Sequence, residues 1–304
     1  MSVWKFMLAV PAGGPAAIGL FGGGDNGGGQ NYIQKIIIPT TGNATDFGDL
    51  SQGIRYPYGC ASETRGIFAN GQGNQQIDYV TIATEGNGAD FGDMSTGMYG
   101  GGGCANSTRG FMCGGIGANI IQTITIASTG NSTTFGNMIG SDAYGTGSCA
   151  SPTRGINFGR WGSGPAVNLI GYFTLGSTGG EIDFGDLAYG IVFASACSSD
   201  TRGIAVGGYS FDGAGGFRND ISYVTIASTG NATDFGDLLA GTSRATGVSS
   251  NTIGVIGGGE TSSGTIDTIQ YVTIASTGNA TDFGDLVYAI NSSGGASNAH
   301  GGLQ

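Results

Sequence analysis

Apolar residues in this chain come in short runs, each closed by glycine, threonine, serine or asparagine. In Tyr223-Val224-Thr225-Ile226-Ala227 the side chains alternate. Tyr, Thr and Ala face one way and Val and Ile the other, which is the periodicity of a strand. One stretch shows the whole pattern. Residues 55–62 predict a first strand, 63–66 a tight turn and 67–71 a second strand. A polar loop follows, then a third strand at 77–84, a turn at 85–88 and a short fourth strand at 90–94. Four antiparallel strands of this kind form one blade of a propeller.

The unit recurs. The phrase T-G-N-A-T-D-F-G-D-L stands in full at 41–50, 229–238 and 277–286, and in degraded form at 85–94, 129–138 and 178–187. Its phenylalanines are Phe47, Phe91, Phe135, Phe184, Phe235 and Phe283, at intervals of 44 to 51 residues. A strand-rich period of that length means propeller blades or a related array. Each phenylalanine is expected to be the apolar wedge between neighbouring blades. Small residues on the inner strands suit close backbone packing near a narrow axis, and Gly-Asn pairs supply the positive φ of hairpin turns.

The repeat is out of step with the chain ends. Residues 18–24 align with a second strand, 33–39 with a third and 46–50 with a fourth, so the first blade lacks its own first strand. Residues 287–301 align with a first strand and then stop. The expected fold is therefore all-β: a six-bladed propeller in which the C-terminal strand completes the N-terminal blade. An open solenoid would need polar capping units, and none is visible. The expected domains are an N-terminal arm, 1–14, and one propeller, 15–304. Its blades are 15–50 with 287–304, then 51–94, 95–138, 139–187, 188–238 and 239–286.

Composition refines this. Glycine makes up 64 of 304 residues without a Gly-X-Y period, which excludes collagen. Charged residues are only 10%, and the formal net charge is −11. An acidic surface repels phosphate backbones, so no nucleic-acid partner is expected. Ten of the acids belong to the phrase itself. The chemistry of cysteine follows the repeat too: Cys60, Cys104, Cys149 and Cys197 each precede a T-R-G by the same spacing, and Cys113 sits on the following strand. They read as small buried strand residues rather than disulfide partners. The uncharged segment 6–21 is interrupted by glycine and proline, which argues against a membrane span.

Small-residue strand, T-R-G turn, I-F-x-x-G-G strand, loop, I-x-Y-V-T-I-A strand and F-G-D-L together resemble a kelch-type blade. Gly114-Gly115, Gly207-Gly208 and Gly257-Gly258 match the glycine doublet of kelch repeats; Tyr79, Tyr223 and Tyr271 match the tyrosine, and phenylalanine replaces the usual tryptophan. The wording of the phrase, with cysteine ahead of T-R-G, resembles repeat proteins of tailed phages of marine bacteria, including cyanophages. The resemblance implies a non-enzymatic component of a virion, in a tail, fibre or capsid exterior. Its implied partners are other virion proteins and a host-surface glycan or protein. Fold alone does not transfer activity.

Candidate chemistry is sparse. His300 is the single histidine, which disfavours both a Ser-His-Asp triad and the paired-histidine copper site of some kelch enzymes. The turn arginines Arg65, Arg109, Arg154 and Arg202 recur once per blade. They are expected to pair with repeat aspartates or with backbone carbonyls of adjacent blades rather than to grip a ligand. The aspartates offer oxygen atoms to calcium, but no D-x-D-x-D-G loop is present, and bonding to turn amides is the expected use. No cofactor and no metal are expected.

The loops between second and third strands vary most. They carry the candidate binding residues Arg160, Trp161, Tyr209, Phe211, Phe217 and Arg218, the residue types that anchor partners when a rigid scaffold holds them. The alternative is that these aromatics fold back over their own blades. Trp4, Phe6 and Met7, in an arm with no blade to bury it, are candidates for docking on a neighbouring subunit. Two further readings remain open: a lectin-like module using the aromatic loops, and a polysaccharide hydrolase using carboxylates in the central channel.

Overall fold

Six antiparallel sheets, each of four strands, form the architecture, and within each the strands lie in the order first, second, third, fourth. The computed structural model describes residues 16–69, 72, 74–162, 166–212 and 215–299, and no α-helix occurs among them. Among the described residues, no helix is therefore long and apolar enough to cross a membrane. The arm with Trp4, Phe6 and Met7 lies outside the described residues, as does His300.

In the second blade the strands are Tyr58–Ala61, Arg65–Ala69, Gln76–Thr81 and Ala89–Asp93. The first strand is shorter than the alternation suggests because Tyr56 adopts a left-handed φ of 55° and breaks the extended run. The third stops at Thr81, whose carbonyl accepts the Thr84 amide in a turn. Two small hairpins interrupt the upper loops of the last two blades: Tyr209–Ser210 with Gly216–Phe217, and Glu260–Thr261 with Gly264–Thr265.

The ring is closed by the two ends of the chain. Gly294–Ser297 pairs antiparallel with Ile18–Gly22, Leu20 opposite Ala296. The first blade thus contains one strand from the C-terminus and three from the N-terminus, as the offset of the repeat predicts. Around the axis, Gly59, Gly103, Gly247 and Gly295 occupy equivalent places on the innermost strands. A methyl group on any of them would strike a carbonyl oxygen of the neighbouring first strand, so backbone packs on backbone there.

Hydrophobic burial lies between blades rather than within one centre. Tyr58, Ile67, Ile77 and Phe91 of the second blade share a cluster with Met112, Ile124 and Ile126 of the third. Leu20, Ile33 and Phe47 of the first share one with Phe68, Val80 and Ile82 of the second. All six repeat phenylalanines are buried, and each occupies such a seam.

The phrase is the fastening of the ring. Its G-N-A portion lies along the F-G-D edge of the preceding blade. Gly86 and Gly88 donate to the carbonyls of Phe47 and Asp49; Gly278 and Ala280 donate to those of Phe235 and Asp237. Gly42 and Ala44 do the same to Phe283 and Asp285 across the closing seam. The asparagine adds a third bond: the Asp49, Asp93, Asp186, Asp237 and Asp285 amides donate to Oδ1 of Asn87, Asn131, Asn231, Asn279 and Asn43 at 3.0–3.2 Å. Asparagine side chains, not the expected aspartate carboxylates, therefore satisfy these amides. Nine of the ten phrase aspartates are exposed, and they form an acidic outer wall.

The turn arginines resolve in favour of carbonyls. Nη1 of Arg65, Arg109, Arg154 and Arg202 donates to the carbonyls of Ile126, Leu175, Ile226 and Ile274, each in the next blade, at 2.8–3.0 Å. Their guanidinium groups stack on Tyr79, Phe111 with Phe135, Tyr172 and Tyr223. The strand register puts Ile18 and Ile253 at the arginine's place in the first and last blades, so the arginines do not form a complete ring. The five cysteines are free and buried. The thiols of Cys60, Cys149 and Cys197 point into the notches left by Gly110, Gly203 and Gly254 of the next blade.

Gly236 shows how strict the fastening is. It has φ 148°, and an added Cβ would lie 2.5 Å from the Gly278 carbonyl. Gly236→Ala is expected to cost about 2–4 kcal/mol in urea unfolding, from strain and overpacking together. Gly176→Ala, with nothing within 4 Å, is expected to stay within about 0.5 kcal/mol.

The thiols set the alkaline limit. Burial pushes Cys60 and Cys197 up to about 12, with Cys113 adding to the shift at Cys60. An unfolded thiol titrates near about 8.5, so the native state holds these protons longer. Their contribution is full below about pH 8.5 and is lost as pH rises toward 12. The urea midpoint should hold level up to pH 8 and fall by pH 10.5, and iodoacetamide at pH 8 should label the thiols only in urea.

Candidate functional site

The upper face carries both sets of connections that vary: the loops between second and third strands, and the connectors from each fourth strand to the next blade. Six equivalent connector residues ring the mouth of the channel in the left-handed region. They are Tyr56, Gly100, Gly145, Phe193, Arg244 and Ser292, with φ between 52° and 75°. Four of these are not glycine, and each such residue costs on the order of 1–3 kcal/mol unless its surroundings hold it. The surroundings are a belt of backbone bonds: Gly145, Phe193, Arg244 and Ser292 each donate to the carbonyl of the equivalent residue one blade earlier, at 2.6–2.9 Å.

Aromatic side chains follow this belt. Tyr56 and Tyr99 lie 6.2 Å apart, Tyr99 and Tyr144 6.3 Å, and Tyr144 and Phe193 5.0 Å, centroid to centroid. The Arg244 guanidinium caps the series 4.5 Å over Phe193. Burial raises the Tyr144 phenol to about 12, Tyr56 and Tyr99 adding to the shift and Arg244 opposing it. Tyr144 is thus a neutral hydroxyl at physiological pH. Deeper in, the channel is lined by glycine, alanine, serine, threonine and Pro57, with no carboxylate among the lining residues.

The connectors also hold the variable loops in place. Single β-bridges join Tyr144 to Trp161, Val192 to Tyr209 and Ser243 to Glu260. Trp161, Tyr209 and Glu260 therefore occupy equivalent positions in successive blades. Trp161 meets Phe211 at 4.8 Å, Phe211 meets Tyr209 at 4.8 Å, and Tyr209 meets Phe217 at 5.3 Å. Tyr209, Phe211 and Phe217 line a pocket of about 260 Å³ with Phe193, Ser243, Arg244 and Glu260. Phe211 is 47% exposed. The aromatics cluster with one another and leave a cavity open to solvent rather than lying flat on their own blades.

Two of the expected residues do not belong to this group. Arg160 is 2% exposed, and its Nη2 donates to Glu181 Oε2 at 2.7 Å in a buried ion pair. The reason lies in a lost strut. In other blades a polar side chain on the third strand accepts a connector amide from the blade before: Asp78 takes Ser51, Gln122 takes Ser95 and Gln270 takes Leu239. The fourth blade has Gly171 at that register. Glu181 fills the space over Gly171 and accepts the Ile139 amide instead, at 2.8 Å. A buried carboxylate needs compensation, which Arg160 and the Asn157 amide, at 2.9 Å, supply. Arg218 pairs with Asp220 at 2.7 Å, stacks on Tyr189 and lines a separate small recess.

The sequence reading missed Phe193, Ser243, Arg244 and Glu260. The signal was available: the connectors open on the same face as the variable loops, and Phe193 and Arg244 replace the tyrosine and glycine of other blades there.

No protein-family model matches the chain, and no curated protein matches it in sequence. Among solved structures, the chain is similar to the one titled "Structure of YjhT", with a TM-score of 0.66 over 86% of this chain and 96% of that one. At 11% identity, the likeness speaks for the propeller fold alone.

The strut exchange makes a direct prediction. Arg160→Met leaves the Glu181 carboxylate buried without its cation and is expected to cost about 3–5 kcal/mol in urea unfolding. Arg160→Met with Glu181→Gln should recover a large part of that loss, because the uncompensated charge is gone.

Proposed function

We propose that this chain is a non-enzymatic interaction protein whose upper face makes the functional contact. One observation carries the reading: aromatic departures from the repeat gather on one side of one face. Blades four to six bring Trp161, Tyr209, Phe211, Phe217 and Arg244 together there, while the fastening of the outer surface repeats at five of the six seams. A rigid scaffold with one irregular aromatic patch is the arrangement of a recognition surface. The usual route of polysaccharide hydrolysis needs two carboxylates in unlike surroundings. The pocket is lined by a single carboxylate, Glu260, already paired with Arg244 at 2.9 Å.

The setting we propose is the exterior of a tailed-phage particle, in a tail, fibre or decoration, with the kelch-like propeller as a spacer that presents its upper face to the host surface. The wording of the repeat supports this setting. The exposed Phe211 favours a second, compatible reading, a lectin-like contact with host glycan.

Because the native thiols are buried, an introduced cysteine can be coupled selectively to a bulky polymer. Coupling at Ile116→Cys, on the upper face, should abolish adsorption of the purified chain to host cells; coupling at Glu63→Cys, on the lower face, should leave it intact. The reverse result, or no adsorption by the uncoupled chain, would remove the upper face as the contact surface.

A further inference from the structure

Between the fifth and sixth blades, the pocket combines two features. Its walls are aromatic: Phe193, Tyr209, Phe211 and Phe217. The rings of Tyr209 and Phe217 meet at 86°, so they offer walls in two directions. Its charged lining residues are one cation and one anion, Arg244 and Glu260, bonded to each other at 2.9 Å.

We propose that this pocket binds a neutral pyranose ring, the terminal or penultimate sugar of a surface glycan. The inference rests on the upper-face reading above and deepens it by naming the ligand class.

Three observations bear on the choice. A pyranose is amphipathic: its axial C–H groups make one apolar side, which fits against an aromatic face as other apolar groups do, and its edge carries neighbouring hydroxyls. A pair of hydroxyls both donates and accepts, so it is matched by a guanidinium beside a carboxylate. An anionic ligand would meet Glu260 and a cationic one Arg244, and each would lose to like-charge repulsion part of what it gained. The charge balance of the pocket therefore selects against both.

The second observation is an unfinished bond. Arg244 Nε is buried and has no hydrogen-bond partner. A donor left so carries a desolvation cost, and Arg244 is also held at a left-handed φ of 57°. The side chain as a whole is 27% exposed, and a small rotation of it would turn this donor to a ligand hydroxyl oxygen, the missing acceptor. The third is size. About 260 Å³ lies at the small end of ligand pockets, near 300 Å³, and suits one ring better than an extended chain. The next sugars would run toward the channel mouth, because Phe193 and Arg244 also line the cavity there.

The test titrates the intact chain with methyl hexopyranosides and with matched uronic acids and amino sugars, followed by calorimetry. Neutral glycosides should bind, and the charged analogues should bind at least threefold more weakly. Phe211→Ala and Glu260→Gln should each weaken neutral binding about tenfold or more, which is about 1.4 kcal/mol, with the urea midpoint measured alongside to show that each variant is folded. Tighter binding of either charged analogue, unchanged affinity in Phe211→Ala, or no binding by any neutral glycoside would overturn the proposal. If glycosides fail while a polymer at Ile116→Cys still blocks adsorption, the sugar assignment falls and the upper face stands as the contact surface.

Discussion

One edge-to-edge contact carries the architecture. The turn before each fourth strand lies on the fourth strand of the blade before it, at five of six seams through two backbone bonds and an asparagine side chain, and at the third-to-fourth seam through one backbone bond. This contact explains why the phrase is ten residues long and why its middle glycine is fixed: at Gly48, Gly92, Gly136, Gly185, Gly236 and Gly284, a side chain would meet the backbone of the next blade. A fourth strand is otherwise a free edge, and free edges invite unwanted pairing. The phrase covers each one with the neighbouring copy of itself. A self-complementary contact of this kind has no natural end short of a closed ring.

The contact also dictates where variation can occur. Lower turns and outer strands are committed to the seams. Inner strands are committed to backbone packing around the axis. What remains free is the upper face, and there the blades differ. The fourth blade is instructive, because its phrase has decayed to T-G-G-E-I-D-F-G-D-L. Gly180 replaces the capping asparagine. The seam is held instead by Glu181, whose amide donates to Asn137 and whose carboxylate accepts from Ile139. Arg160 exists in its buried position to balance that carboxylate. A residue that looks like a binding anchor in the sequence is part of a repair.

Much of the fold was legible because the repeat is strong and its phase is offset from the chain ends. Strand count, blade count and the closing strand all follow from alignment of the units, and the phenylalanine positions mark the seams. Strand ends were less legible: nothing local announces that Tyr56 turns left-handed, as the equivalent connector residues of the other blades do. The site was half legible. Trp161, Tyr209, Phe211 and Phe217 stand out as aromatic residues in irregular loops. Arg244 and Glu260 are ordinary polar residues 16 positions apart in the sequence, and only the β-bridge at Ser243 brings them to one pocket. Arg160 was not legible as a buried residue, because burial of an arginine depends on a partner that spacing does not reveal, and Arg218 pairs with Asp220 away from this pocket.

The account stands on the closing seam being equal to the other seams that keep the full set of bonds. Native-state hydrogen exchange reads this directly at the donor amides. Gly42 and Ala44, which join the first blade to the last, should be protected to within about an order of magnitude of Gly86, Gly88, Gly278 and Ala280, since all open with the same ring. Exchange at Gly42 and Ala44 faster by several orders of magnitude, with the other seams still protected, would show a ring that is not closed by this contact.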